Sequence, residues 1–230
     1  MILHVDDVSV RLGGSHILQG VTFDVAGSGV TALLGRNGVG KTTTLRAILG
    51  QVPATGSVRF GGEEALGQPT HRLVRRGLGY VPEDRCVFAG LTVAENLRLA
   101  ERGPDPDYAT VHELFPELRE RAGQRAGTLS GGQQQMVAIA RVLLDPQRLL
   151  LVDEPTKGLA PAVVSAVAAA LERVAQKVPV LLVEQNLAVV RRLARDAVVL
   201  AAGRVAWRGP AGELLGDAGR TRALLGVGRA

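Results

Sequence analysis

Apolar and polar positions alternate near the beginning of the chain, a pattern typical of antiparallel strands with one face in solvent. LHVDDVSVRL at 3–12 and VTFDV at 21–25 both follow this alternation. GSVRFGG at 56–62 is a further short strand candidate. The sequence therefore predicts an antiparallel β lobe near the N-terminus.

Elsewhere the strand candidates are continuous apolar runs, which indicates strands buried on both faces. They are VTALL at 30–34, LGYVP at 78–82, LLLV at 149–152 and VPVLLV at 178–183. Helices are predicted at 161–177 and 187–195, followed by a strand at 197–200, the strand GRVAWRG and terminal helices. Because strands alternate with helices, we predict an α/β fold with a mainly parallel sheet covered on both faces.

Residues 84–128 differ from the rest, because they contain no convincing strand. Thr92 is a candidate N-cap with Glu95 three residues later, the spacing of a capping box, and a second helical stretch follows at 108–123. The next predicted helix, SGGQQQMVAIARVLL at 130–144, places the apolar residues Met136, Ile139, Ala140 and Leu143 on one face. We predict an α-helical lobe inserted at about 84–142 in a single domain of residues 1–230.

The composition narrows the class of protein. The chain has 230 residues with 46% hydrophobic content, enough for one well-filled core. Its start lacks the basic region and long apolar core of a signal peptide, so we expect a cytosolic protein that reaches a membrane only through partners. The net charge of +5 comes from scattered arginines, and only 3% of residues are aromatic. This favours a solvated surface over a nucleic-acid partner. Cys86 is the only cysteine, which excludes an internal disulfide.

GRNGVGKT at 35–42 matches a phosphate-binding loop, G-x-x-x-x-G-K-[ST], with a predicted strand before it and a helix after it. Glycines allow backbone N–H groups to form an anion nest at the positive end of the helix. Lys41 can reach the β- and γ-phosphates of ATP, and Thr42 can ligate Mg²⁺. The alternative is an ordinary glycine-rich turn. The candidate nucleotide-binding residues here are Gly35, Arg36, Asn37, Gly38, Val39, Gly40, Lys41, Thr42 and Thr43.

Two adjacent carboxylates, Asp153 and Glu154, follow the apolar run LLLV. Like charges at the tip of a buried strand are costly unless a cation lies beside them. In a phosphate-loop ATPase the aspartate after a parallel strand holds Mg²⁺. We therefore assign Asp153 to the metal and Glu154 to general-base activation of the attacking water. An exposed acidic turn is the alternative.

LSGGQQQ at 129–135 resembles the signature motif of ATP-binding-cassette (ABC) ATPases, and the order of motifs along the chain matches that family. The alternative is a serine-capped helix start with flexible glycines. The resemblance implies two domains paired head to tail around ATP, with hydrolysis moving attached membrane subunits. It also implies that Ser130, Gly131, Gly132 and Gln133 contact the ATP bound by the other domain.

Three phrases resemble the second ATP-binding subunit of branched-chain amino acid importers. They are GYVPEDRCVFAGLTVAENL, DEPTKGLAP and LLVEQN. This resemblance implies a second ABC ATPase as partner, in a heterodimer or a homodimer. It further implies permease subunits, an indirect extracytoplasmic solute-binding protein and a peripheral place on the cytoplasmic membrane face. The open alternatives are a urea or amide importer, a soluble ABC ATPase, a phosphate-loop kinase and a regulatory nucleotide-binding module.

Four positions depart from the common pattern of the family. Glu83 replaces a glutamine that touches the metal and the water, and it can itself ligate Mg²⁺. Gln185 replaces the histidine that contacts the γ-phosphate, and it can still donate a hydrogen bond. Leu12 stands where an aromatic ring usually stacks on adenine, and Ala160 replaces an aspartate. The last two changes suggest that the two ATP sites of a heterodimer are unequal.

The resemblance also implies that a permease helix docks between the core and the helical lobe. Val87, Phe88 and Leu91 are candidates for the apolar floor of that groove. The alternative is that these three side chains pack inside the domain.

Overall fold

The computed structural model describes residues 1–226. Its strands are β1 (Leu3–Leu12), β2 (Ser15–Val25), β3 (Val30–Leu34), β4 (Thr55–Phe60), β5 (Glu63–Glu64), β6 (Leu78–Val81), β7 (Leu149–Asp153), β8 (Val180–Val183), β9 (Ala194–Ala201) and β10 (Arg204–Pro210). Its α-helices are α1 (Lys41–Ile48), α2 (Thr70–Arg75), α3 (Val93–Arg98), α4 (Tyr108–Leu114), α5 (Pro116–Glu120), α6 (Gly131–Leu143), α7 (Pro161–Lys177), α8 (Leu187–Leu193), α9 (Ala211–Gly216) and α10 (Ala218–Leu225). Among residues 1–226, no helix combines the length and the apolar character needed to cross a bilayer.

The central sheet has six strands in the order β10-β9-β3-β8-β7-β6. Five of them run parallel, and β10 pairs antiparallel with β9. Every residue of β3, β7 and β8 is buried, which explains why nearly all of their residues are apolar. Since β8 lies between β3 and β7, the carboxyl ends of these three strands meet at one edge, where ligands bind in open α/β sheets.

The second sheet is antiparallel, in the order β2-β1-β4-β5. Its residues Phe23 and Phe60 are buried in one cluster with Leu33 of β3 and Leu45 of α1. The antiparallel lobe therefore shares a core with the central sheet. β2 begins at Ser15, six residues before the predicted strand, because a turn at Gly13–Gly14 returns the chain directly alongside β1.

Helices α3 to α6 occupy the region that the sequence assigned to a helical lobe. The predicted capping box of Thr92 with Glu95 is present on α3, and Ser130, whose capping role was only the alternative interpretation, forms a second capping box with Gln133 on α6. The helical stretch predicted at 108–123 is two helices, because Pro116 begins α5 and cannot continue α4. The buried residues of this region form one cluster with Val152 and Leu182 of the central sheet.

Most of the remaining differences between the predicted and the observed elements concern the residues at which helices and strands begin or end. Helix α8 stops at Leu193 and β9 starts at Ala194, three residues before the predicted strand. Strand β8 starts at Val180, after Pro179. Helix α2 and strand β5 were not predicted, since six and two residues are too few to show a period.

Candidate active site

The phosphate-loop segment connects β3 to α1 at the ligand-binding edge of the sheet. Gly40 precedes α1 with a φ of 106°. A Cβ there would lie 2.5 Å from the Leu18 side chain, so glycine is required by both conformation and space. The first N–H groups of α1 have no partners within the helix and face the loop with the positive end of the helix dipole.

The Lys41 side chain is 5% exposed and turns back over the loop. Its Nζ donates to the carbonyl oxygens of Gly35 and Arg36, both at 3.0 Å. The same Nζ lies 3.7 Å from Glu154 Oε1. Burial lowers the pKa of Lys41, while the Glu154 and Asp153 carboxylates oppose that shift. The ammonium group thus connects the phosphate loop with the acidic pair at the end of β7.

Asp153 ends β7 and is fully buried. Among residues 1–226, neither of its carboxylate oxygens has a hydrogen-bond partner. Burial raises the pKa of Asp153 to about 6; the Thr42 side chain and Lys41 oppose the shift, while the Glu154 and Glu83 carboxylates add to it. Two orphaned buried acceptors are costly, and a hard divalent cation such as Mg²⁺ fits this donor set.

The protein by itself would supply only part of the ligands of a Mg²⁺ ion. No group of three or more His, Cys, Asp or Glu side chains in the described part of the chain is arranged to hold a metal ion alone. Magnesium in nucleotide sites uses one or two protein carboxylates and completes its shell with substrate phosphates and water. Asp153 beside the phosphate loop matches that mode of binding.

Glu154 has a φ of 45°, in the left-handed region. Such a conformation costs a non-glycine residue about 1–3 kcal/mol and is frequent at functional sites. Its backbone N–H donates to Val183 O at 2.9 Å, which fixes the turn against β8. Gln185 Nε2 donates to Glu154 Oε1 at 2.5 Å. Two residues that the sequence assigned to catalysis are therefore in direct contact.

A cleft of about 330 Å³ is lined by six of the nine predicted phosphate-loop residues and by Leu12. It is lined by Leu12, Ile17, Asn37, Gly38, Gly40, Lys41, Thr42, Thr43, Glu83, Glu154 and Lys157. Leu12 is 40% exposed, and both Leu12 and Ile17 line the cleft, so its lining includes two aliphatic side chains and, among residues 1–226, no aromatic ring. Arg36 is exposed and Val39 packs against the core, so neither lines this cleft.

Glu83 lies in the cleft, but its carboxylate contacts a lysine. Lys157 Nζ is 2.5 Å from Glu83 Oε1 and 3.5 Å from Glu154 Oε2. The sequence reasoning missed Lys157. A signal was available, since Lys157 is one of only three lysines in a chain that otherwise uses arginine.

The signature segment does not belong to this cleft. Ser130 is exposed and caps α6, and its hydroxyl accepts from Gln133 N at 3.3 Å. A Cβ on Gly132 would lie 2.2 Å from Val163 Cγ1, and one on Gly131 would lie 2.8 Å from Leu159 Cδ2. The close approach that the two glycines permit is therefore to the chain's own helix α7 and the loop before it.

A separate cavity of about 380 Å³ lies between β6, α2 and the helical region. Arg85 and Cys86, from the loop at 83–92 that was predicted to take part in docking, line it together with Pro82 and with Leu99 of the helical region. The three residues proposed as its floor do not line it. Val87 packs against the helical core, Phe88 is 49% exposed beneath the Arg141 guanidinium, and Leu91 is half-buried.

Parallel strands with a phosphate-binding loop, an aspartate–glutamate pair and a capped signature helix define an ATPase of the cassette type. The family model described as ABC transporter matches residues 18–157. The chain belongs to this family; it binds ATP and is an ATPase. The predicted fold class is likewise confirmed.

Two branched-chain amino acid transport ATP-binding proteins are similar to this chain over most of its length. The chain is 41% identical to the high-affinity branched-chain amino acid transport ATP-binding protein BraG of Pseudomonas aeruginosa, over 93% of this chain and 95% of that protein. It is 38% identical to the probable branched-chain amino acid transport ATP-binding protein LivF of Archaeoglobus fulgidus, over 87% and 88%. A nucleotide-free ATP-binding cassette from an ABC transporter superposes with a TM-score of 0.85 at 23% identity, covering 99% of both chains.

Proposed function

We propose that this chain is the ATP-hydrolysing subunit of an importer for branched-chain amino acids. It works at the cytoplasmic face of the membrane, paired with a second ABC ATPase and attached to permease subunits. The observation that carries the proposal is full-length similarity to two branched-chain amino acid transport ATP-binding proteins. The arrangement of the cleft supports the chemistry.

ATP binding uses the loop and the start of α1. Lys41 and the backbone N–H groups of residues 35–43 hold the phosphates, as expected for a nest at a helix N-terminus. The Lys41 ammonium already lies at the loop, held by two of its carbonyls. Leu12 and Ile17 contact the adenine by packing rather than by aromatic stacking, because both side chains are aliphatic.

Asp153 and Thr42 hold Mg²⁺, and Glu83 joins them. When bound, Mg²⁺ neutralises the charge that develops on the phosphates. Asp153 suits this role because its two buried oxygens have no partner in the described part of the chain. Glu83 serves the metal only after it separates from Lys157, whose Nζ lies 2.5 Å away.

Glu154 accepts the proton of the attacking water, and Gln185 orients the Glu154 carboxylate. The 2.5 Å contact between Gln185 Nε2 and Glu154 Oε1 supports this assignment. An amide cannot take up the proton itself, so Gln185 acts as a hydrogen-bond donor. The base function remains with Glu154 alone.

The second half of the site comes from the partner ATPase. Ser130, Gly131, Gly132 and Gln133 form a capped helix start, with Ser130 exposed and Gly132 buried, that faces the γ-phosphate in the partner's phosphate loop. The partner's equivalent segment completes the cleft of this chain. The permease docks at the cavity lined by Cys86 and Leu99.

Purification of the assembled transporter tests the proposal. The chain is tagged in its own cell, the membranes are dissolved in mild detergent, and the proteins that copurify are identified. We expect two integral membrane chains and a second ABC ATPase. Recovery with soluble partners or nucleic acid alone would contradict the transporter assignment.

The solute is tested on the same complex in lipid vesicles. ATP hydrolysis is measured with the associated binding protein and leucine, isoleucine or valine, and separately with urea or short amides. Stimulation by the branched-chain amino acids supports the proposal, and stimulation by urea or amides alone supports the related-importer alternative. A complex carrying Glu154→Gln is the control for hydrolysis by this chain.

A further inference from the structure

A buried carboxylate beside the catalytic pair has no part in the chemistry described so far. Glu184 is 3% exposed and follows β8 directly. It accepts four hydrogen bonds. Oε1 accepts from the Thr156 N–H at 3.2 Å and from the Thr156 hydroxyl. Oε2 accepts from the N–H groups of Gln185 and Asn186, both at 2.8 Å.

The four bonds divide cleanly between two loops. Oε1 serves Thr156, in the loop that follows β7 and carries Glu154. Oε2 serves the loop that follows β8 and carries Gln185. These two loops supply the two side chains that meet at 2.5 Å, Glu154 at the cleft and Gln185 behind it. One carboxylate therefore links the base to its hydrogen-bond donor through their backbones.

We propose that Glu184 is a positioning residue that sets the contact between Glu154 and Gln185 and thereby the orientation of the base. This inference rests on the proposed function, because it assumes that Glu154 activates water. The loop needs such support, because Glu154 adopts a strained left-handed conformation with φ 45°.

The chemistry of the link requires a carboxylate. All four partners are donors, and an ionised carboxylate is acceptor-only on both oxygens. A glutamine would place an NH₂ group against the donors of one loop and release that loop. Because a misplacement of about 1 Å can lower a rate by about a hundredfold, a released loop affects turnover strongly.

The chain contains a matched control. Glu64 also accepts from one hydroxyl and three backbone N–H groups, those of Ser57, Val58, Ala65 and Leu66. It lies in the antiparallel sheet, outside the cleft. Glu64→Gln therefore removes the same kind of link without touching the catalytic pair.

ATP hydrolysis by the full assembled transporter carrying Glu184→Gln is measured, and both kcat and KM for ATP are determined. We expect kcat to fall by about ten- to a hundredfold with KM unchanged, whereas Glu64→Gln leaves kcat at the wild-type value. Thr156→Val, which removes one donor, reduces kcat less, and Thr156→Ser restores it. These threonine variants serve as the test if Glu184→Gln fails to fold.

A double-mutant cycle separates positioning from general stability. In a Gln185→Ala background, Glu184→Gln should cause little further loss of kcat, because the contact that it positions is already gone. Full additivity of the two losses, or wild-type kcat in both Glu184→Gln and Thr156→Val, would overturn the inference. Glu154→Gln tests the proposed function separately: if that variant still hydrolyses ATP at the wild-type rate, the base assignment fails whatever Glu184 does.

Discussion

The cleft and the signature helix, which the proposed function treats as the two halves of an ATP site, differ in how far contacts within the chain hold their side chains. In the cleft, Lys41 and Glu154 are buried and held by contacts within the chain. At the signature helix, Ser130 is exposed, and within the described part of the chain its hydroxyl is bonded only to its own capping partner, Gln133. The difference teaches that contacts within one chain already hold the side chains of the cleft in place, whereas the hydroxyl of Ser130 is left facing solvent, as the proposed pairing with a second ATPase would require.

Glu154→Gln should have the largest effect. Loss of a general base lowers turnover by about 10²–10⁴-fold, while ATP binding remains because the phosphate loop is untouched. Hydrolysis and nucleotide binding are measured in the assembled transporter. Wild-type hydrolysis in this variant would remove the base from the cleft half and break the comparison.

The same substitution tests whether the two ATP sites are unequal. Leu12 in the cleft and Ala160 before α7 raise the hypothesis of unequal sites. Mixed dimers carry Glu154→Gln in this chain or the equivalent change in its partner. Equal losses of turnover would count against inequality.

Ser130→Ala should have the next largest effect and separates the two halves most directly. Removal of the N-cap costs about 1 kcal/mol of stability. Loss of a hydroxyl aimed at the partner's nucleotide should lower turnover by about ten- to a hundredfold, as for a charge-assisted hydrogen bond worth about 1.5–3 kcal/mol. ATP binding to the isolated chain should be unchanged.

Thr92→Ala is the matched control for that variant. Thr92 caps α3 with the same capping box but lies outside the cleft and the signature segment. It should lose the same stability and keep wild-type turnover. Equal turnover in both variants would mean that Ser130 is only a helix cap.

Much of this comparison could be predicted from the sequence. The order of strands and helices, the capping box of Thr92 and the phosphate loop follow from apolar periodicity and from local spacing. The contact between Glu154 and Gln185 could not, because it depends on β7 and β8 being neighbours in the sheet. Sequence order alone does not give that adjacency.

Glu184 shows where the reasoning stopped short. Like Asp153, it comes directly after a run of buried apolar residues, but the sequence analysis assigned no role to its carboxylate. Only the coordinates distinguish the two, since Asp153 has no hydrogen-bond partner among residues 1–226 and Glu184 has four bonds. The surroundings of the two carboxylates, not their positions along the chain, therefore give Asp153 the proposed role of metal ligand and Glu184 that of a positioning residue.

Gly132→Ala tests whether the signature glycine also serves the fold. Its added Cβ would lie 2.2 Å from Val163 Cγ1, and such overpacking costs about 1–3 kcal/mol. Thermal or denaturant unfolding of the isolated chain measures it. Gly123→Ala, with open space around its Cβ, should leave stability nearly unchanged, and equal stability of the two variants would contradict the packing role.

Lys157→Ala should have the smallest effect, because its pairs with Glu83 and Glu154 are partly exposed and such pairs contribute only about 0–1 kcal/mol. Freed from Lys157, Glu83 becomes available to the metal, so half-maximal metal binding should occur at a lower Mg²⁺ concentration. Mn²⁺ is used in place of Mg²⁺, and its binding in the presence of a non-hydrolysable ATP analogue is followed by electron paramagnetic resonance, which needs no turnover.

Lys177→Ala is the control. It breaks the comparable pair with Glu113, which is 2.7 Å long and lies outside the cleft, and it should leave the metal titration unchanged. If Lys157→Ala also leaves it unchanged, Lys157 does not compete with the metal for Glu83, and the cleft is ready for Mg²⁺ without any exchange of partners.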